Sequence, residues 1–124
     1  MAMEISFYKY QGTGNDFVMI DDRADIFPDR DLSLIQRLCD RKFGIGADGL
    51  ILIRDAEEHD FEMVYFNADG SQSMCGNGAR CAVAFAKFLG IIEQKTNFLA
   101  IDGDHQAVIA DELIELEMRP VLSL

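Results

Sequence analysis

Residues 74–90 read Met74-Cys75-Gly76-Asn77-Gly78-Ala79-Arg80-Cys81-Ala82-Val83-Ala84-Phe85-Ala86-Lys87-Phe88-Leu89-Gly90. From Ala82 to Leu89 the run is apolar almost all round. This predicts a helix over about Gly76 to Leu89 that is buried at the centre of the fold rather than laid on its surface. Gly90 is placed to stop it. Cys75 stands where the helix begins. The first amides of a helix have no intrahelical partners and carry a partial positive charge. That position favours a thiolate at Cys75. It also lets the N–H groups of Gly76, Asn77 and Gly78 bind a carboxylate or phosphate, with the glycines allowing close approach. The same residues read equally well as a small buried hydrophobe ahead of a glycine-rich cap. The stretch alone leaves both readings open.

Outward from this helix, residues 4–10 and 17–22 are rich in aromatic and β-branched side chains and read as strands. Gln11 to Asp16 between them is a turn built from residues that tolerate unusual backbone angles. Residues 33–42 read as a second helix. Ser33 and Gln36 fit a capping box, the stripe is Leu34, Ile35, Leu38 and Cys39, and Gly44 is the stop. Residues 49–54 form a short apolar run that reads as a buried strand. Residues 60–66 alternate, with Phe61, Met63 and Tyr65 on one face, and lead into a turn from Asn67 to Ser71. Short strands are expected at 96–101, 105–110 and 113–118. No repeat, low-complexity segment or internal linker interrupts the chain, so 1–124 reads as one domain. It closes on an apolar tail after Pro120, which reads as the lip of a connection into something else.

The 124 residues are 49% hydrophobic and 27% charged, an ordinary soluble balance that excludes disorder. Eleven Lys and Arg against 22 Asp and Glu give a formal charge of −11. Such a field repels phosphate, so neither nucleic acid nor an anionic membrane is an expected partner. No apolar run approaches the ~20 residues that span a bilayer. The start lacks a signal-peptide pattern. With three cysteines, this favours a reducing cytoplasm and free thiols over a disulfide framework.

Several strings carry little chemistry. Gly44-x-Gly46-x-x-Gly49 matches a dinucleotide fingerprint, but it follows a helix and enters a strand, the reverse of what that site needs. It reads instead as a helix-stop loop. Cys75 and Cys81 are not at a usual zinc spacing, and no metal site is expected. Six helical residues are ~240° of rotation and ~9 Å of rise, so these two thiols cannot face one another across a small substrate. Cys39 and Cys81 read as core. His59 and His105 read as ordinary loop or strand residues, and Asp21-Asp22 and Glu57-Glu58 as solvated turns. Asn15 and Asn67 lie in turns at strand ends. Plain turn chemistry explains each when it stands alone, although an Asn, donor and acceptor together, also suits an amino-acid-like ligand.

Four blocks in order resemble the N-terminal half of the diaminopimelate epimerase family. They are Lys9–Phe17 (KYQGTGNDF), Arg41–Leu50 (RKFGIGADGL), Phe66–Ser71 (FNADGS) and Met74–Cys81 (MCGNGARC). The resemblance runs along essentially the whole chain. It implies an α+β fold, a mostly antiparallel or mixed sheet wrapped around a buried central helix, with a similar second half absent here. It implies a cofactor-independent, two-cysteine acid/base epimerase interconverting LL- and meso-diaminopimelate in lysine and cell-wall precursor synthesis. Cys75 matches one catalytic cysteine. Gly76 and Asn77 match the helix-start amides that hold the substrate α-carboxylate, and Asn15 and Asn67 match substrate-contacting asparagines. Some members carry Gln where this chain has Gly49, so that contact is absent. The expected partners are a small amino-acid substrate, the missing C-terminal half and further copies in a homo-oligomer. A fragment without the second base is expected to be inactive or nearly so alone. The alternatives are a proline-racemase-like or phenazine-biosynthesis-like isomerase of the same superfamily, or a non-enzymatic binding or dimerisation module.

Overall fold

The computed structural model describes residues 5–110 and the backbone of 113–116. The elements are β1 (Tyr8–Gly12), β2 (Asn15–Asp21), α1 (Leu32–Cys39), β3 (Gly49–Arg54), β4 (Phe61–Asn67), α2 (Gly76–Phe88), β5 (Lys95–Ala100), β6 (Gly103–Ala110) and β7 (Leu113–Leu116). The seven strands form one sheet in chain order. β2 with β3 and β4 with β5 are parallel, while the other neighbours are antiparallel. The two parallel pairs need crossovers, and α1 and α2 supply them.

β4 and β5 run opposite to β2 and β3, yet both crossovers step the same way along the sheet. Crossovers of one hand therefore put their helices on opposite faces. The packing agrees. Alternate residues of β2 and β3 split between two cores: Phe17, Met19, Ile51 and Ile53 face α2, while Val18, Ile20, Leu50 and Leu52 face α1. The α2 core takes Phe61, Met63 and Tyr65 from β4 as their alternation predicts, together with Ala79, Ala82, Phe85 and Ala86 of the helix. Small residues along α2 let strands approach from several sides. The helix packs against β1, β2, β3, β4 and β7, so the sheet curls round it until its first and last strands meet the same helix. This is the α+β arrangement expected. No helix among the described residues is long and apolar enough to cross a membrane.

Several element boundaries differ from the sequence reading. The turn expected over Gln11 to Asp16 shrinks to Thr13-Gly14, because Gln11 pairs with Asp16 and Gly12 with Asn15. Thr13 and Gly14 have φ of 45° and 87°, the left-handed pair that a two-residue hairpin demands. The first strand starts at Tyr8 rather than at residue 4. α1 is capped by Asp31, whose carboxylate accepts from Leu34 N–H at 3.0 Å, so Ser33 is not the cap and Gln36 is free to donate to Asp69 O. The helix ends at Cys39. Gly44 acts beyond it, where a Cβ would lie 1.8 Å from Arg37 O, and Ile45, Gly46 and Ala47 donate to the carbonyls of Leu38 and Cys39. The Gly44–Gly49 string is thus a helix-stop loop. Residues 117–118 of the last expected strand lie outside the described residues.

Asp22 was expected in a solvated turn, but it is only 2% exposed. It accepts from the N–H groups of Ile26 and Phe27 and from Arg54 Nε at 2.8 Å, an internal staple that sequence patterning cannot show. His59 pairs with Asp104, and His105 with Asp102.

Among the described residues, Thr96 Oγ1 is a buried side-chain oxygen without a partner. An orphaned buried hydroxyl costs more than an isosteric methyl. Thr96→Val should therefore raise the unfolding free energy by about 1 kcal/mol, seen as a higher midpoint in urea.

Candidate active site

The β2–β3–β4 register aligns Phe17, Gly49 and Asn67 across the sheet. This brings Asn15, at the start of β2, to the same end as Asn67. α2 begins at that end as well. A Cβ on Gly12 would lie 3.3 Å from Cys81 Sγ and 3.6 Å from Asn77 O, and one on Gly78 would lie 3.4 Å from the Tyr65 ring. The first turn of α2 is thereby clamped between the β1–β2 hairpin and β4.

Cys75 is the N-cap of α2 and half-buried, and its Sγ accepts from Gly78 N–H at 3.4 Å. The Gly78 amide, expected to be open to an anion, is therefore committed to the sulfur. The amides of Gly76 and Asn77 make no hydrogen bond among the described residues. They stand beside the thiol, at the positive end of the helix dipole.

The two asparagines that precede this turn in sequence behave differently. Asn15 is held at both ends of its amide. Its Oδ1 accepts from Asn77 Nδ2 at 2.9 Å, and its Nδ2 donates to Asp48 Oδ2 at 3.2 Å. Asn67 Nδ2 donates to Ser71 O, Ser71 Oγ and Ser73 Oγ. No hydrogen bond among the described residues links Asn67 to Asn15, Asn77 or Cys75. It shares their end of the sheet and braces the turn that leads into α2.

Behind Asn15 lies a charged network that the sequence reading did not assign. Arg41 spans both carboxylates, reaching Asp16 at 2.8 and 3.0 Å and Asp48 at 3.0 Å. Lys9 reaches Asp16 at 2.9 Å and also donates to Gly46 O. Asp48 Oδ2 also accepts from Asp16 N–H. The chain Arg41–Asp48–Asn15–Asn77 thus fixes the amide orientations at the helix start. The Arg41 guanidinium, then Lys9 and the Asp48 amide, hold the Asp16 carboxyl well below the usual carboxylate range.

Tyr65 is the second unassigned residue, although its place on the inward face of β4 was legible. Burial, followed by the charges of Cys75 and Asp48, pushes its phenol up to about 12. Gly49 leaves the space for it: a Cβ there would meet the ring at 2.8 Å and the hydroxyl at 2.9 Å. The remaining thiols are core as expected. Cys39 and Cys81 are 3% and 5% exposed, and burial pushes both up to about 11.

The model of the diaminopimelate epimerase family matches residues 7–118. The chain belongs to the diaminopimelate epimerase family. Over 119 residues it is 61% identical to the diaminopimelate epimerase of Flavobacterium psychrophilum, covering 94% of this chain and 46% of that protein. The Aquifex aeolicus diaminopimelate epimerase is 46% identical over 109 residues, covering 80% and 39%. The chain thus spans less than half the length of these relatives. Among solved structures, the fold is similar to a phenazine biosynthesis protein of Enterococcus faecalis (TM-score 0.68, 14% identity, 94% of this chain and 47% of that one). It is also similar to a methylitaconate-delta-isomerase (TM-score 0.67, 14% identity, covering 89% and 36%). At such identities the likeness concerns the fold alone. The curated matches favour the diaminopimelate epimerase family over the phenazine-type alternative.

Because Asp16 is depressed in the fold, the stability it contributes is complete above about pH 5 and is lost as the pH falls below about 4. Asp16→Asn should lose less stability than the parent between pH 5 and 3. Urea midpoints across that range measure the difference.

Proposed function

We infer that this chain is the N-terminal half of a cofactor-independent diaminopimelate epimerase and carries one of its two acid/base groups, Cys75. The observation that supports this most directly is the start of α2, where a half-buried thiol caps the helix beside two unpartnered amides. An amino-acid α-proton is far less acidic than a thiol, and each unit of mismatch costs about 1.4 kcal/mol. Without an electron sink the site must stabilise negative charge as it forms. The amides of Gly76 and Asn77 are the groups for the α-carboxylate, into which that charge spreads when the Cys75 thiolate removes the α-proton. Their donors are already oriented, because the helix and the Asn15–Asn77 pair hold them.

Asn15 and Asn67 flank this position as substrate contacts. Asn15 offers its amide once a ligand competes for the Asn77 or Asp48 bond. Asn67 has its Nδ2 engaged by the serines and turns its carbonyl to the task. A second acid must protonate the opposite face. Cys39 and Cys81 are buried and displaced toward the thiol form, so neither suits the role. In this reading a second half supplies that acid and closes over the substrate, excluding water. The enzyme works in the cytoplasm as a homo-oligomer.

The test is α-proton exchange of diaminopimelate in D2O, followed by NMR, with this chain alone and with Cys75→Ala. The expected result is no exchange above the variant's background, with exchange and epimer both appearing when the second half is added. Cys75-dependent exchange by the chain alone would overturn the inactive-half reading. No activity after adding the second half would overturn the assignment of Cys75.

A further inference from the structure

An asparagine in the first turn of a helix tends to turn its side-chain carbonyl onto its own or a neighbouring backbone N–H. Asn77 stands in that position, yet its carbonyl leaves the amides of Gly76 and Asn77 open. Its Nδ2 donates to Asn15 Oδ1 at 2.9 Å, and its Oδ1 accepts from Arg80 Nη1 at 3.4 Å. The sense of the Asn77–Asn15 bond is set one step further back. Asn15 Nδ2 donates to Asp48 Oδ2 at 3.2 Å, and a carboxylate has no hydrogen of its own to give. Asn15 must therefore face Asp48 with its Nδ2, which leaves Oδ1 for Asn77. Asp48 is itself held on several sides. Arg41 Nη2 donates to its Oδ1 at 3.0 Å. Its own amide donates to Asp16 O at 2.9 Å, and its carbonyl accepts from the N–H of Ala68, next to Asn67, at 3.1 Å.

We propose that Asp48 is a positioning residue for the carboxylate site: its carboxylate sets the sense of the Asn15–Asn77 hydrogen bond and so keeps the Asn77 carbonyl off the open amides of Gly76 and Asn77. This rests on the reading of those amides as the group that receives the α-carboxylate, and it adds what keeps them open. It runs against simple charge. A negative side chain near an anion site weakens that site by repulsion, whereas here the acid prepares it through two neutral amides. Asp48 touches no substrate in this scheme. Its backbone bonds to Asp16 and Ala68 do not involve the side chain, so the loop keeps its ties when the carboxylate is replaced.

Iodoacetate and iodoacetamide test this without an epimerase assay. Both alkylate Cys75 through a CH2 group, but only the first carries a carboxylate beside it. Their rate ratio at Cys75, divided by the ratio for free cysteine, reads how well the helix start receives that carboxylate and cancels any change in the thiolate fraction. Mass spectrometry of the Cys75 peptide separates it from the buried Cys39 and Cys81. The parent should favour iodoacetate relative to free cysteine. Asp48→Asn and Asp48→Ala remove the same charge, but the asparagine keeps a carbonyl oxygen that accepts from Asn15. The ratio should be about fivefold lower in Asp48→Ala than in Asp48→Asn, the effect of losing one hydrogen bond. The two should agree once Asn77→Ala has removed the competing carbonyl. Equal ratios in the folded variants with Asn77 intact overturn the proposal, since lost charge acts equally on both. A parent ratio no higher than that of free cysteine overturns the carboxylate reading itself, and the proposal with it. A second pair of variants leaves Asp48 in place. Asn15→Ala frees the Asn77 side chain and should lower the ratio, and adding Asn77→Ala should raise it again. A ratio that does not recover overturns the proposal, even if Asp48→Ala fails to fold.

Discussion

The burial of α2 is the constraint on which the rest depends. A helix that buries Ala79, Ala82, Val83, Phe85 and Ala86 leaves only the narrow stripe of Arg80, Lys87 and Phe88 to water. One flat sheet covers only one side of a helix. The solution here is a sheet that curls until β1 and β7 reach the same helix as β2, β3 and β4. Alanine and glycine make this possible, because they let strands approach from several sides. The second consequence is at the helix end. A helix wrapped on most sides offers its unpaired amides where it emerges from the sheet, and here that point is the common end of β2, β3 and β4. The site therefore follows from the way the core is closed.

At that end, nearly every polar side chain is already engaged. Asn15 is tied to Asn77 and Asp48, Asn67 to two serines, and Asp16 and Asp48 to Arg41. What stays open is the pair of backbone amides at Gly76 and Asn77, beside a sulfur that already accepts from Gly78. Donors that need no rearrangement when charge appears are more effective than mobile ones. The acidic chain as a whole repels anions, and the fixed dipoles of the helix start offset that field locally.

How far the sequence announced this varies with the range of the interaction. The helix over Gly76 to Phe88 and its cap at Cys75 were legible because apolar periodicity and a glycine-rich start are local signals. So was the inward face of Phe61, Met63 and Tyr65. The first helix was displaced by one residue at its start and three at its end, because Asp31 outcompeted Ser33 as cap and the Gly44 loop took over the last carbonyls. Asp22, Arg41 and Asp48 were not legible as a framework. Their partners lie 25 to 33 residues away or come from different loops, and nothing in a local window distinguishes a stapling aspartate from a solvated one. Among the substrate candidates, Asn15 and Asn67 were separable from ordinary turn residues only by resemblance. The structure joins Asn15 to the helix start by hydrogen bonds, and it places Asn67 nearby through strand register alone.

The Gly44–Gly49 string shows why a motif has to be read by what each residue does. Gly44 is required by contact, since any side chain would run into Arg37 O. Gly46 is required by conformation, with φ of 84°. Gly49 is required by the Tyr65 ring on the adjacent strand. The three reasons are independent, and none involves a phosphate. The spacing is that of a dinucleotide loop only because a helix stop, a left-handed turn and a strand entry follow one another at that pace. Of the three, Gly49 alone answers to a side chain from a neighbouring strand. A tyrosine two residues before Asn67 can then lay its ring across Gly49 and against Gly78 in the first turn of α2. Arg41, Asp48 and Gly49 all lie in or beside this connector, so the segment that ends the first helix also builds one wall of the site.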